Sequence, residues 1–325
     1  MLYFYIALGI TIFILLVVIL FIVVFRIHNK AFNKRFMPNP LVKFYTKEEF
    51  NLDYEKIEIK YNDETIAGGL YSYGEYDNDK LIIFCHGMES CKESYMQEIG
   101  YIAQKGFLVL GFDYLGTNES TGLIKGFGTS LKSLDIVINY IKSNDKLKNK
   151  KIYVVGHSWG GYASTNIVSL HNDIEGIVAL APALNFYRLL RSVYKINPFF
   201  ARLVVLVDKI KLGKYSNKNG LKSLKKYNGK ILIIQSKDDN RVSFDTSLGL
   251  IKNKLKDKAE YIILEDRMHN PDYKKESVDY LNEFLNNVFK YSGEEQIEYM
   301  KNQNYHKMGE LDPVVMDGII NFLKK

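Results

Sequence analysis

Six short runs of four consecutive apolar or aromatic residues recur along the chain: Leu81-Ile82-Ile83-Phe84, Phe107-Leu108-Val109-Leu110, Ile152-Tyr153-Val154-Val155, Ile177-Val178-Ala179-Leu180, Ile231-Leu232-Ile233-Ile234 and Tyr261-Ile262-Ile263-Leu264. A strand with one wet face alternates apolar and polar residues, whereas an unbroken run suits a strand buried on both faces. Helix-like segments lie between the runs, at Tyr95 to Gln104, Leu131 to Ile141 and Gly161 to Leu170. That alternation predicts a largely parallel, doubly wound α/β sheet. Ahead of it, Lys56 to Tyr61 reads as a half-buried strand, Asn62-Asp63-Glu64 as a turn, and Thr65 to Tyr73 as the returning strand. Two stretches break the pattern, an insertion over 183–226 and another over 271–311. The second contains an amphipathic helix with Val278, Leu281, Leu285 and Val288 on one face. A closing helix is announced by Asp312 as cap and Pro313 in its first turn, with Met316, Ile319, Ile320 and Leu323 as its apolar stripe.

The N-terminus obeys a different rule. Leu2 to Phe25 is 24 residues without a charge, long enough as a helix to cross a hydrocarbon core of about 30 Å. A cleaved signal peptide has a positive start, a shorter apolar stretch and small residues at the cut. None of these is present, so residues 1–25 read as an uncleaved transmembrane anchor. Residues 26–55 then read as a basic juxtamembrane linker punctuated by Pro38 and Pro40, and residues 56–325 as the folded domain. Arg26, Lys30, Lys34 and Arg35 crowd the C-terminal side of the span. The positive-inside rule therefore places the domain in the cytoplasm.

Composition narrows the classes further. A content of 47% hydrophobic and 25% charged residues excludes wholesale disorder. The net charge of +7 comes mostly from scattered Lys and no nucleic-acid motif accompanies it, so nucleic acid is not expected as a partner. Cys85 and Cys91 have no second pair to make a disulfide framework or a metal site, and they read as free thiols.

The chemistry is concentrated after three of the runs. Gly156-His157-Ser158-Trp159-Gly160-Gly161 follows one strand and opens a helix. A sharp strand-to-helix turn of this kind lifts the Ser158 hydroxyl above the sheet, with glycines where the turn is crowded. The Trp159 N–H, at the helix start, can donate to a developing oxyanion. Cys85-His86-Gly87-Met88, after an earlier run, offers the Met88 N–H as a second donor, with the His86 side chain read as structural. Serine needs a base that is oriented by an acid. Asp238 and Asp239 both follow the strand ending at Ile234, and His269 follows the last strand. His28, His157, His171 and His306 occupy less suitable places.

In this order, His86-Gly87, Asp113-Tyr114-Leu115-Gly116, Gly156 to Gly160, Asp239 with Val242 three residues on, and His269 resemble the α/β-hydrolases. The resemblance runs from about residue 56 to the end. It is greatest to the branch of serine aminopeptidase-like and monoacylglycerol-lipase-like hydrolases. It implies an α/β-hydrolase fold with a helical lid insertion, here preceded by one transmembrane helix. It also implies Asp239, not Asp238, as the acid. Ser243 stands where the family often has Pro, and Leu115 and Asn118 replace an Arg and a Gly of its D-x-R-G-x-G turn. The implied catalytic residues are Ser158, Asp239 and His269, with the Met88 and Trp159 backbone N–H groups as the oxyanion hole. No metal or organic cofactor is called for.

The lid stretch, Asn185 to Lys214, carries Phe186, Leu189, Leu190, Val193, Phe199, Phe200, Leu203, Val204, Leu206, Val207 and Ile210 among seven bases and the single acid Asp208. Those residues can line an acyl pocket near a membrane or simply pack the lid down. The expected function is therefore a membrane-anchored serine hydrolase of acyl esters. A peptidase would want a carboxylate for a peptide amino group, and Glu89 is the candidate. The alternative of another class is an inactive membrane-tethered interaction protein on this fold; such proteins usually lose a triad member, and all three are present here.

Overall fold

The computed structural model describes residues 1–38, 41 and 45–325. Asn39 and Pro40 of the expected linker, with 42–44, lie outside the described residues. The chain starts with helix α1 (Leu2–Phe32), exposed along most of its apolar stretch and long and apolar enough to cross a bilayer. The helix does not stop with the apolar run at Phe25. Val24 and His28 are buried, with Phe21, Phe25 and Phe32 partly so, leaving Arg26, Ile27 and Lys30 outside. This 3–4 residue spacing keeps one face of the charged segment against protein, so Arg26–Phe32 is helix and not free linker.

Strands β1 (Asp53–Tyr61) and β2 (Glu64–Ser72) form the predicted hairpin. Next come β3 (Asp77–Cys85), α2 (Met96–Gln104), β4 (Phe107–Phe112), α3 (Thr129–Ser143), β5 (Lys151–His157), α4 (Trp159–Ile167) and β6 (Gly176–Leu180). Three lid helices follow: α5 (Phe186–Ser192), α6 (Pro198–Leu212) and α7 (Gly220–Lys226). The sheet resumes with β7 (Lys230–Ser236), α8 (Leu248–Leu255) and β8 (Glu260–Leu264). The eight strands run in the order β1-β2-β4-β3-β5-β6-β7-β8, antiparallel at the β1-β2-β4 edge and parallel from β4 onward.

The unbroken apolar runs are explained by what lies on each face. Leu81, Ile83, Leu110, Val154, Ile177 and Ile233 pack with α3, α4 and the lid. The residues between them, Ile82, Phe84, Val109, Val155, Val178 and Ile234, pack on the other face. There they meet α2 and the closing helix. Successive side chains of a strand point to opposite faces, so both must be apolar.

The second insertion holds α9 (Lys275–Val288), α10 (Gly293–Lys301) and α11 (Tyr305–Met308) around a small core of its own, built on Phe284, Val288 and Met308. Its ends are closed by pairing of Tyr273 with Leu311. The chain finishes on α12 (Pro313–Lys324), where the Asp312 carboxylate accepts from the Val314 N–H and the predicted stripe is buried.

Candidate active site

Parallel strands β3, β5, β7 and β8 all deliver loops to one rim of the sheet, the edge where open α/β folds bind ligands. Ser158 lies between β5 and α4 with φ +56° and ψ −107°. A non-glycine residue held there is strained. The strain is fixed from several sides. The Ser158 N–H donates to the Leu180 carbonyl (2.9 Å), and its own carbonyl accepts from Tyr162 N–H (3.0 Å). Gly156 and Gly160 permit the turn, since a Cβ on Gly160 would lie 2.0 Å from the Cys85 carbonyl oxygen and one on Gly156 2.4 Å from that of Gly160.

The other two side chains arrive from the neighbouring loops. His269 Nε2 lies 2.8 Å from Ser158 Oγ, and its Nδ1 lies 2.9 and 3.0 Å from the two Asp239 carboxylate oxygens. The Asp239 side chain is fully buried, and every other partner it has is a donor. The N–H groups of Arg241 and Val242 (both 2.9 Å) reach one oxygen, and the Gln235 amide (2.9 Å) reaches the other. Asp238, one residue away, is exposed; it accepts from the Ser236 hydroxyl and from Met268 N–H (3.2 Å). With Nδ1–H given to Asp239, the bare Nε2 faces the serine hydroxyl. Such a row can take the serine proton and balance the resulting imidazolium with a carboxylate.

The β3 loop supplies the oxyanion side. His86 is buried and stacked on Tyr114, ring centroids 4.0 Å apart, and burial lowers its pKa to about 4. The neutral ring donates from Nδ1 to the Gly87 carbonyl (2.7 Å), while Nε2 accepts from Tyr114 N–H (3.4 Å). Holding the Gly87 carbonyl fixes the plane of the peptide whose other end is the Met88 N–H. Met88, Ser158 and His269 are each only part-buried. Trp159 is the first residue of α4, its indole N–H donating to the Phe127 carbonyl (2.7 Å).

Several participants had no sequence signal of their own. Gln235 also donates to the Val242 carbonyl (2.7 Å) and accepts from Leu248 N–H (3.1 Å), which fixes its amide orientation. Lys92, 21 residues from Asp113 in sequence, binds that carboxylate through both its N–H (2.9 Å) and its ammonium (3.1 Å). Burial works against the ammonium, but Asp113, Glu93 and Glu119 outweigh it and raise its pKa. Cys91, Glu93 and Asp113 lie close enough to hold a metal ion, yet the Lys92 ammonium already contacts Glu93 (2.7 Å) as well as Asp113. Leu115, in place of the family Arg, is buried in the core, and Asn118 donates to Asp113 (3.0 Å).

The comparisons agree with this architecture. The fold is similar to that of an esterase from Pyrococcus furiosus, 21% identical with a TM-score of 0.57 over 79% of this chain and 97% of the other. It is likewise similar to Est1E from Butyrivibrio proteoclasticus, solved with ferulic acid bound, which is 18% identical with a TM-score of 0.56 over 72% and 100% of the two chains. No curated protein matches the sequence. The family model described as serine aminopeptidase, S33, matches residues 76–255. The chain belongs to that family, within the α/β-hydrolase superfamily.

Proposed function

We propose that this protein is a membrane-anchored serine hydrolase that cleaves acyl esters through an acyl-enzyme on Ser158. The observation that carries the reading is the unbroken row from Ser158 Oγ through His269 to Asp239, with heavy-atom separations of 2.8 and 2.9 Å. In it Ser158 attacks the acyl carbonyl as His269 removes its proton, and Asp239 stabilises the imidazolium. The Met88 and Trp159 N–H groups receive the oxyanion. His269 then protonates the leaving alcohol, and a water activated by the same imidazole releases the acid.

The lid supports an apolar substrate near a bilayer. Phe186, Leu190, Ala201 and Val207 are buried and hold the lid to the core, whereas Phe199, Phe200, Leu206 and Ile210 of α6 are exposed among Arg202 and Lys209. An apolar face flanked by bases suits an anionic lipid surface. α1 supplies the anchor in this reading, with the domain on the cytoplasmic side. A peptidase reading keeps the same triad and gives Glu89 the task of holding an amino group; Glu89 is exposed beside Met88 at φ +56°. A fluorophosphonate should label the wild type and leave Ser158→Ala unlabelled. A panel of acyl esters and aminoacyl amides then decides the bond, and faster turnover of the amides overturns the ester assignment.

A further inference from the structure

A buried file of hydrogen bonds runs behind the row of Ser158, His269 and Asp239. Gly87 N–H lies 3.1 Å from the Tyr95 phenol oxygen, that oxygen 2.7 Å from His157 Nδ1, and His157 Nε2 2.8 Å from the carbonyl of His269. With His157 neutral, one arrangement of protons satisfies all three contacts. A backbone N–H must donate, so Tyr95 accepts from Gly87. A carbonyl must accept, so His157 carries its proton on Nε2. Neutral His157 then has a bare Nδ1, and the Tyr95 hydroxyl donates to it. Burial, aided by the nearby His269, lowers the His157 pKa to about 3, in keeping with a neutral ring. Tyr95 is also buried, packed against Phe84 with ring centroids 5.2 Å apart.

We propose that Tyr95 and His157 are positioning residues that lock the backbone of the base, His269, to the nucleophile elbow and to the oxyanion loop. The proposal rests on reading His269 as the base. Asp239 secures the imidazole at one end, but it does not secure the backbone that carries it. That backbone needs support, because Asp266 and Met268, just before His269, both hold positive φ (+57° and +46°) without being glycine. His157 immediately precedes Ser158, so its bond to the His269 carbonyl fixes the base relative to the nucleophile. Tyr95 extends the same tie to Gly87, which immediately precedes the Met88 donor. Three loops that arrive from separate strands are thereby held in one register, as near-attack geometry requires.

The test compares fluorophosphonate labelling rates and ester kinetics of the full chain carrying Tyr95→Phe, His157→Gln or His157→Leu. Ser158→Ala serves as reference, and thermal melts identify folded samples. Tyr95→Phe keeps the ring packing and removes only the hydroxyl. His157→Gln keeps an N–H donor for the His269 carbonyl, and His157→Leu keeps neither partner. The expected result is a fall of about 10- to 100-fold in labelling rate and kcat for His157→Leu, a smaller fall for Tyr95→Phe, and substantial recovery in His157→Gln, with KM little changed throughout. A folded His157→Leu that reacts at the wild-type rate or, where that variant does not fold, a Tyr95→Phe that does, while Ser158→Ala is silent, overturns the positioning role and leaves the triad standing. Loss that appears in KM instead of kcat overturns it as well. Labelling that survives in Ser158→Ala removes the triad reading and this proposal with it.

Discussion

Replacing Asp239 by Asn tests the acid more sharply than deleting it, because the side chain keeps its shape while its charge is lost and its pattern of donors changes. The two carboxylate oxygens accept from Arg241 N–H, Val242 N–H, the Gln235 amide and His269 Nδ1. An Asn must turn an NH2 toward one set. Facing the two backbone N–H groups it meets two donors that cannot move, so the NH2 takes the Gln235 side. Gln235 cannot flip to receive it without losing its own bonds to Val242 and Leu248. A buried donor is therefore left unpaired, at a cost of about 1–3 kcal/mol in stability. The larger effect is on the base. His269 Nδ1 now has an NH2 at the 3.0 Å position and only an uncharged oxygen at the 2.9 Å one; accepting from the NH2 moves its proton to Nε2, the nitrogen that should receive the Ser158 proton. By analogy with other triads kcat should fall by ~10⁴, which is about 5 kcal/mol of transition-state stabilisation, with KM nearly unchanged. Ester turnover and fluorophosphonate labelling rates, alongside a thermal melt, measure both parts. Asp238→Asn, at an exposed side chain, should cost less than about tenfold. A reversed ranking, or an Asp239→Asn enzyme within about tenfold of wild type, refutes the reasoning.

Two further outcomes are expected. Glu98 and Asp272 are buried next to each other, and burial, reinforced for Glu98 by the nearby Asp272 charge, raises both carboxyl pKa values above 4.5 and 3.8. Each holds in the fold a proton that the unfolded chain releases, so stability is fully present below those ordinary values and is lost as pH rises toward the raised ones. Glu98→Gln should therefore raise Tm more at pH 8 than at pH 4, and an equal shift at both refutes the assignment. For orientation, external protease on intact cells should leave the domain whole, and digestion with sealed membranes overturns the cytoplasmic placement. An impermeant thiol reagent cannot decide it, since Cys91 is buried and burial pushes its thiol up to about 12.

The parts of the fold that were legible are those where a single local signal does the specifying. Residues such as Ile82 and Ile83 must both be apolar because both faces of β3 are covered. Only glycine fits beneath the Cys85 carbonyl at position 160. Asp238 and Asp239 could not be separated by spacing alone. The family pattern favoured Asp239, whose side chain the Arg241 and Val242 N–H groups turn inward toward His269, while Asp238 is exposed. What stayed hidden depends on distant partners. Tyr95 meets His157 across 62 residues, and the sequence marks neither as connected to His269. Charge also misled at Arg26 to Phe32, where scattered bases looked like a linker. The apolar period carried by Phe25, His28 and Phe32 continued beneath them.

That continuation has a consequence that can be measured. His28 meets Asp208 of α6 with both side chains fully buried, and Asp208 also accepts from Phe127 N–H (2.7 Å) and the Ser216 hydroxyl (2.6 Å). Beyond the helix, Lys34 pairs with Ile124 and Phe36 with Thr117. Phe32 packs edge-on against Phe186, and Phe36 lies 6.2 Å from Trp159, which opens the helix after Ser158. Burying Phe36 contributes about 1.5–3 kcal/mol. The three backbone bonds that join Lys34 and Phe36 to Gly116, Asn118 and Ile124 add about 1 kcal/mol each. A chain begun at Arg26 keeps these contacts and loses Val24, the partly buried Phe21 and Phe25, and the exposed apolar length. It should stay folded and label at Ser158. A chain begun at Met37 loses on the order of 5 kcal/mol, comparable with the whole stability of many domains. Its Tm should fall by about 10 °C or more, and labelling should slow as the packing around Trp159 loosens. If the two chains melt together and label alike, the segment from His28 to Phe36 is a tether after all, and not a wall of the catalytic domain.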